Sequence, residues 1–396
     1  MARIGIFGGS FDPPHLGHRL AVSEFQKLLE LDRVLVVPDA VPPHKALSAL
    51  SPDAQTRLRL TRLAMRELPF AEVSDIELRR GGTSYTVDTL RSLRAQHPHD
   101  ELFLLMGTDM LLSFEKWHAP RQIASMATLA VAHRSDDRAE ELRACAERLQ
   151  AGLGARVVLV ENKFVPYSST SVRAMLAFGC AEDYVSPEVL ETIRSEGLYG
   201  VGADFKNLPF ERLQTVSLAL HNPKRVPHVI GCSQTAERLA LQYGANPVDA
   251  KRAGILHDVT KALTGTEQLK LCESYGIILN HFEQTHPKLL HAKTGATIAR
   301  AVFGENDAVY RAIYWHTTGT TGMHTLDKIV YLADYMEPNR DFPGVDELRA
   351  LVAQSLDAGM LCGLRMTVEQ LRARGSEVDP NSQAALRELE ERNHTT

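Results

Sequence analysis

Arg3-Ile4-Gly5-Ile6-Phe7-Gly8-Gly9-Ser10-Phe11-Asp12-Pro13-Pro14-His15-Leu16-Gly17-His18 decides how the front of the chain folds. Arg3 to Phe7 is a short β-rich run. A glycine turn follows, and a helical pattern opens at about Leu16 and continues to Leu31. The same grammar recurs downstream. Apolar runs at Arg33 to Val37, Leu102 to Met106, Ala127 to Ala132 and Ala155 to Val160 are separated by helical segments, one of them Pro52 to Leu68. Buried strands alternating with helices predict βαβ units, hence an α/β domain with a parallel sheet covered on both faces. Such sheets take ligands at the carboxyl ends of their strands. The turn from Gly8 to His18 is therefore a candidate ligand site.

Its chemistry suits phosphate. Glycines let the backbone approach a ligand closely. A helix N-terminus presents free N–H groups and the positive end of the dipole. His15 and His18 are three residues apart, so their rings share one face of the first turn and can both donate to a polyphosphate.

With these residues in view, the stretch resembles the HxGH nucleotidyltransferases, and among them the bacterial nicotinate-nucleotide adenylyltransferases, over residues 1 to 200. Four further stretches carry the likeness: Val37-Pro38-Asp39-Ala40-Val41-Pro42-Pro43-His44-Lys45, Ser84-Tyr85-Thr86-Val87-Asp88-Thr89-Leu90, Met106-Gly107-Thr108-Asp109 followed by Trp117, and Ser168-Ser169-Thr170-Ser171-Val172-Arg173. Ser10 stands where Thr is common, and Pro14 where an aliphatic residue is usual. The resemblance implies a Rossmann-like nucleotidyltransferase domain over 1–202. It would transfer AMP from ATP to nicotinate mononucleotide with Mg²⁺, releasing pyrophosphate. His15 and His18 would be the catalytic pair. Gly8, Gly9, Ser10, Phe11, Gly107, Asp109, Ser168, Ser169, Thr170 and Arg173 would hold ATP. Lys45, Thr86 and Trp117 would hold the mononucleotide, and Arg134 is a further candidate phosphate contact.

The pattern changes near residue 200. Leu198-Tyr199-Gly200-Val201-Gly202-Ala203-Asp204 is punctuated by glycine, and beyond it apolar residues recur at helical spacing, as at Ala236, Leu239, Ala240 and Tyr243. This predicts an all-α domain over 206–374 and a polar tail over 375–396 that ends in a helical stretch. Within it, His228, His257-Asp258, His291, His316 and Asp334 stand in order. Imidazole and carboxylate together are good ligands for iron, manganese or similar divalent ions. Six such ligands make two ions plausible, with a carboxylate bridging.

The ordered set resembles the HD metal-dependent phosphohydrolases. Arg225-Val226-Pro227-His228, His257-Asp258-Val259-Thr260-Lys261, Leu289-Leu290-His291, Trp315-His316-Thr317-Thr318-Gly319 and Leu332-Ala333-Asp334-Tyr335-Met336-Glu337-Pro338-Asn339-Arg340 narrow the likeness to the bacterial symmetrical diadenosine-tetraphosphate hydrolases. Val259-Thr260 replaces an aromatic–small pair. The resemblance implies that His228, His257, Asp258 and Asp334 bind one ion and His291 and His316 a second, with Asp258 bridging. His257 and Asp258 would be central to catalysis. Arg225, Lys261 and Arg340 would bind phosphates, and Thr317 the nucleotide. Three alternatives stay open for this half: a nucleotidase, another HD phosphodiesterase, or a non-catalytic nucleotide- or metal-binding module.

Composition bounds the rest. The chain has 396 residues, 44% hydrophobic and 23% charged, which excludes wholesale disorder and suits two or three domains. A net charge of -5 argues against an open nucleic-acid surface. Cys145, Cys180, Cys232, Cys272 and Cys362 are scattered and form no CxxC pair, which points to a reduced, cytoplasmic setting. The N-terminus shows no signal-peptide pattern, and no apolar run reaches the ~18 residues of a spanning helix. The expected partners are small molecules — ATP, nicotinate mononucleotide and diadenosine tetraphosphate — with no nucleic acid or membrane, and homo-oligomerisation open.

Overall fold

Six strands form one parallel sheet: β1 (Arg3–Gly9), β2 (Arg33–Pro38), β3 (Ala71–Val73), β4 (Glu101–Gly107), β5 (Thr128–His133) and β6 (Val157–Glu161). The order is β3-β2-β1-β4-β5-β6. The computed structural model describes residues 1–43, 47–133, 138–161 and 167–395. It divides into two units, Met1–Gly202 and Ala203–Thr396.

The four inner strands, β2, β1, β4 and β5, alternate between two buried faces. Leu35, Val37, Leu104, Met106, Leu129 and Val131 pack on one side with Val87, Leu90 and Phe114. Val34, Val36, Phe103, Leu105 and Ala130 pack on the other with Val22 and Phe25. A sheet covered on both faces reads as continuous apolar runs, which is why the strands were visible in the sequence. The exception is β3, a three-residue edge strand with no apolar run to announce it. The strand order reverses between β1 and β4, and ligands of doubly wound sheets sit at that switch point. Gly8, Gly9 and Gly107 end these two strands.

Among the described residues of the second unit there are helices and no strands. The helix Val226–Tyr243 crosses Pro247–Leu256 at very close range, because Gly254 lies on Ser233: a Cβ there would come 2.6 Å from Ser233 Cα. Gly244 (φ 70°) ends the first helix, and Asn246 caps the second by accepting from Val248 N–H at 2.9 Å. Helices Leu290–Ala301, Asp307–Trp315 and Thr325–Met336 complete the surround of the site.

The stretch over 375–396 ends in a helix, where the sequence suggested one. Pro380–Thr395 is a helix that buries Ala385 and Leu389, with Arg365 paired to Glu390 at 3.0 Å. Ala385 and Leu389 are four residues apart, so they share one face of this helix. No helix among the described residues is long and apolar enough to cross a membrane. All five cysteines are free thiols.

Candidate functional site

At the switch point two cavities share a wall. One, of about 380 Å³, is lined by Gly9, Ser10, Phe11, Glu77, Tyr85, Thr86, Trp117 and His118 among others. The second, of about 370 Å³, is lined by His15, Gly17, Gly107, Tyr167 and Ser168 among others. Gly8, His18, Met110 and Ser169 belong to both.

His15 precedes the helix Leu16–Leu28 in extended conformation. Its backbone N–H donates to His18 Nδ1 at 3.2 Å, so His18 presents Nε2 as its N–H donor. The rings stack with centroids 3.6 Å apart. Gly17 is required here, since a Cβ would meet His15 Nδ1 at 3.0 Å. Burial pushes the His15 imidazole down to about 3. Phe11 takes a left-handed backbone (φ 45°) that sets its ring 4.9 Å from His18.

Two buried arginines organise the loops. Arg57 has no exposed surface; it donates to Ser10 O at 2.5 Å, to Asp39 Oδ1 at 2.8 Å and to Asp39 O at 2.9 Å. Asp39 in turn accepts from Ser10 Oγ at 2.9 Å. Arg173 donates to Asp12 O at 2.6 Å, to Asp12 Oδ2 at 3.1 Å and to Thr170 Oγ1 at 3.2 Å. Arg173, which the sequence suggested with Thr170 as holding ATP, thus joins Thr170 to Asp12. Ser168 caps the helix Ser169–Ala177 by accepting from Ser171 N–H at 3.0 Å, and Ser169 faces both cavities. Asp109 is exposed in the first turn of Thr108–Leu112 and lines neither cavity. Lys45 and Arg134 lie outside the described residues. Sequence reasoning missed Arg57. Its only signal was an arginine beside Leu58, Leu60, Ala64 and Met65 in the helix Ala54–Met65.

In the second unit all six expected ligands converge. Asp258, 1% exposed, sits in the middle. Its Oδ2 faces His257 Nε2 at 3.4 Å and His228 Nε2 at 3.8 Å. Its Oδ1 faces His291 Nε2 at 3.5 Å and His316 Nε2 at 3.7 Å. Asp334 Oδ1 lies 3.2 Å from His228 Nε2 and 3.8 Å from His257 Nε2. Two triads, His228–His257–Asp334 and His257–Asp258–His316, keep their ligand atoms within 4.8 Å of one another. His228 Nε2, His257 Nε2 and Asp258 Oδ1 are buried without a hydrogen-bond partner. Inward-facing nitrogens and carboxylate oxygens left unsatisfied in this way fit a divalent cation. Burial opposes charge on Asp258, but His257, His316 and Lys261 hold its carboxyl well below the usual range. Burial, reinforced by Lys261, pushes His291 down to about 3.

The expected phosphate cations lie against these ligands. Arg225 pairs with Asp258, and Arg340 Nη2 lies 2.5 Å from Asp334 Oδ1. Lys261 Nζ is 2.9 Å from His291 Nε2. Thr317 Oγ1 sits between His291 Nε2 at 3.0 Å and His316 Nε2 at 3.1 Å, so it too faces the ligand set.

Residues 6–175 match the cytidylyltransferase-like family model and residues 225–339 match the HD domain model. The probable nicotinate-nucleotide adenylyltransferase of Thermus thermophilus is 42% identical over 198 residues, which cover 50% of this chain and 99% of that protein. The namesake from Thermomicrobium roseum is 38% identical over 200 residues, 50% of this chain and 92% of that protein. A solved structure described as a predicted HD superfamily hydrolase involved in NAD metabolism, from Clostridium acetobutylicum, is 33% identical. It covers 47% of this chain and 98% of its own, with a TM-score of 0.46. By its N-terminal half the chain belongs to the nicotinate-nucleotide adenylyltransferase family, and behind that half it carries an HD domain.

Proposed function

We propose that residues 1–202 transfer AMP from ATP to nicotinate mononucleotide, giving deamido-NAD and pyrophosphate. The observation that carries this reading is the pair of cavities meeting at Gly8, His18, Met110 and Ser169. The aromatic cavity, with Trp117 and Tyr85, offers flat faces to a pyridine ring. The cavity with His15, Gly107 and Ser168 suits the ATP side. The mononucleotide phosphate oxygen then attacks the α-phosphorus across the shared wall, and the bond to pyrophosphate breaks. His18 Nε2–H donates to the phosphoryl oxygens as charge builds on them, and His15 fixes that ring by stacking. Positioning and charge stabilisation suffice, with no covalent intermediate. Asp12 and Asp39 are engaged by Arg173 and Arg57, so Mg²⁺ belongs with the triphosphate itself. The test is dinucleotide formation by the full chain from ATP with nicotinate or nicotinamide mononucleotide. Preference for the acid is expected; equal efficiency with the amide would overturn the substrate.

The HD domain, residues 206–374, we propose to hydrolyse diadenosine tetraphosphate at its middle, giving two ADP. Asp258 carries this reading, because each of its oxygens faces one pair of histidines. His228, His257, Asp334 and Asp258 Oδ2 would hold one ion; His291, His316 and Asp258 Oδ1 would hold the other. Divalent ions there, iron or manganese, supply Lewis-acid charge to the phosphoryl oxygens and acidify water. Arg225, Lys261 and Arg340 turn from the ligands to the incoming polyphosphate, which offers them more negative charge. Symmetric cleavage requires an entire ADP unit held in register, and three cations suit that better than a single terminal phosphate. Product analysis decides. Two ADP is expected; AMP plus ATP, or phosphate released from mononucleotides only, overturns the reading.

A further inference from the structure

Four imidazoles surround Asp258, and they are not held alike. His257 donates Nδ1–H to Gly254 O at 2.8 Å, His291 to Lys288 O at 2.7 Å and His316 to Ile313 O at 2.6 Å. Each acceptor is the neutral carbonyl three residues back. His228 instead donates from Nδ1 to the carboxylate of Glu337, at 3.1 Å from Oε1.

This carboxylate is a built feature. Glu337 is 1% exposed. Its Oε2 accepts from Asn339 N–H and from Asn339 Nδ2, both at 2.8 Å. The turn that carries it is pinned by Arg349, which donates to Met336 O at 3.0 Å, Glu337 O at 3.0 Å and Arg340 O at 2.9 Å. Gly231, one helical turn beyond His228, leaves the space for it: a Cβ there would overlap Glu337 Oε2.

A carboxylate behind a ligating imidazole fixes its tautomer and raises its donor strength. The carboxylates are shared unevenly too, while cations flank both sides, Arg225 on Asp258 and Arg340 on Asp334 near His228 and Lys261 near His291. His228 and His257 face Asp334 as well as Asp258. His291 and His316 face Asp258, with the Lys261 ammonium 2.9 Å from His291 Nε2.

We propose that Glu337 is a positioning residue that makes the His228 side the tighter of two unequal metal positions. Ions load in order, first among His228, His257 and Asp334, then between His291 and His316. This rests on the two-ion reading of the site given above.

The test uses the full chain, stripped of metal and titrated with Zn²⁺ as a diamagnetic probe. Calorimetry should resolve two steps. Ring ¹⁵N signals of His228 and His257 should move before those of His291 and His316. Glu337→Gln keeps the shape and removes the charge. It should weaken the first step by about 10- to 100-fold and leave the second step in place. Simultaneous movement of all four rings overturns the proposal, as does an unchanged first step or equal weakening of both steps in the variant. Absence of Zn²⁺ uptake by the wild-type chain overturns the two-ion reading itself. If the variant fails to fold, the order of ring shifts in the wild-type chain still decides.

Discussion

The imidazole of His15 lies flat on that of His18, their planes 22° from parallel. Two rings at this separation resist carrying charge together. Burial settles the matter for the inner one by holding His15 neutral.

His15 should therefore titrate far below the ordinary histidine range, at about 3 in the free protein. The unfolded chain binds this proton near 6.5, so between those two values the unfolded state carries more protons. The stability that a neutral His15 contributes is complete above the upper value and declines as the pH falls through the window. Histidine ¹³Cε1 shifts against pH, with His15→Gln to assign the signal, give the measurement. A titration near the ordinary value would contradict the burial.

His18→Ala should lower adenylyl transfer by about 10²-fold or more, the scale for removing one donor from a developing phosphoryl charge. The ring contributes little to the core, so the thermal unfolding midpoint should change little. Steady-state turnover beside a calorimetric melt separates the two effects. Near-wild-type turnover would remove the phosphate role.

The parallel sheet and the candidate ligand set were legible in the sequence for the same reason: each rests on a local pattern. Val34 to Val37 and Leu102 to Met106 are continuous apolar runs because both sheet faces are covered. His257-Asp258 and the segments around His316 and Asp334 carry their chemistry within a few residues. Arg57 was not legible, because its partners Ser10 and Asp39 come from other segments and only folding brings them under it. The contact of Arg173 with Asp12 was not legible for the same reason, since Asp12 lies 161 residues away. Glu337 sat in plain view in a quoted motif, but its role depends on His228, 109 residues distant.

Arg57→Ala should destabilise the α/β unit by about 3–5 kcal/mol, since it leaves the Asp39 carboxylate buried against an empty space. Arg57→Lys should recover part of this, because an ammonium can meet one partner where the guanidinium meets several. Urea unfolding followed by Trp117 fluorescence in a Trp315→Phe background reads the effect. Indistinguishable midpoints for wild type and Arg57→Ala would rule out the organising role.

Gly254→Ala adds one methyl where Ser233 Cα stands 2.6 Å away, so the two crossing helices must separate. A cost of about 1–3 kcal/mol is expected for such overpacking. His257 follows three residues later, so divalent-metal content after purification should fall with the stability. A stable variant with full metal content would show that the close crossing is dispensable.

His257→Ala should purify with markedly less divalent metal than the wild-type chain, because His257 belongs to both candidate ligand triads. Elemental analysis of the two proteins side by side is the check, and equal metal content would defeat the assignment.

The final helix, Pro380–Thr395, reaches back to the second site. Ser382 Oγ donates to Thr318 O at 2.8 Å, and Glu388 Oε2 accepts from Gly322 N–H at 2.8 Å. The stretch that follows His316 is thus tethered by the last residues of the chain. A premature stop codon near residue 380, or a protease that trims that helix, would strike the HD domain, whereas the sheet and its two cavities are built from residues 1–202. Genetically, the adenylyltransferase half and the HD domain would be separable by a lesion remote in sequence from every candidate metal ligand.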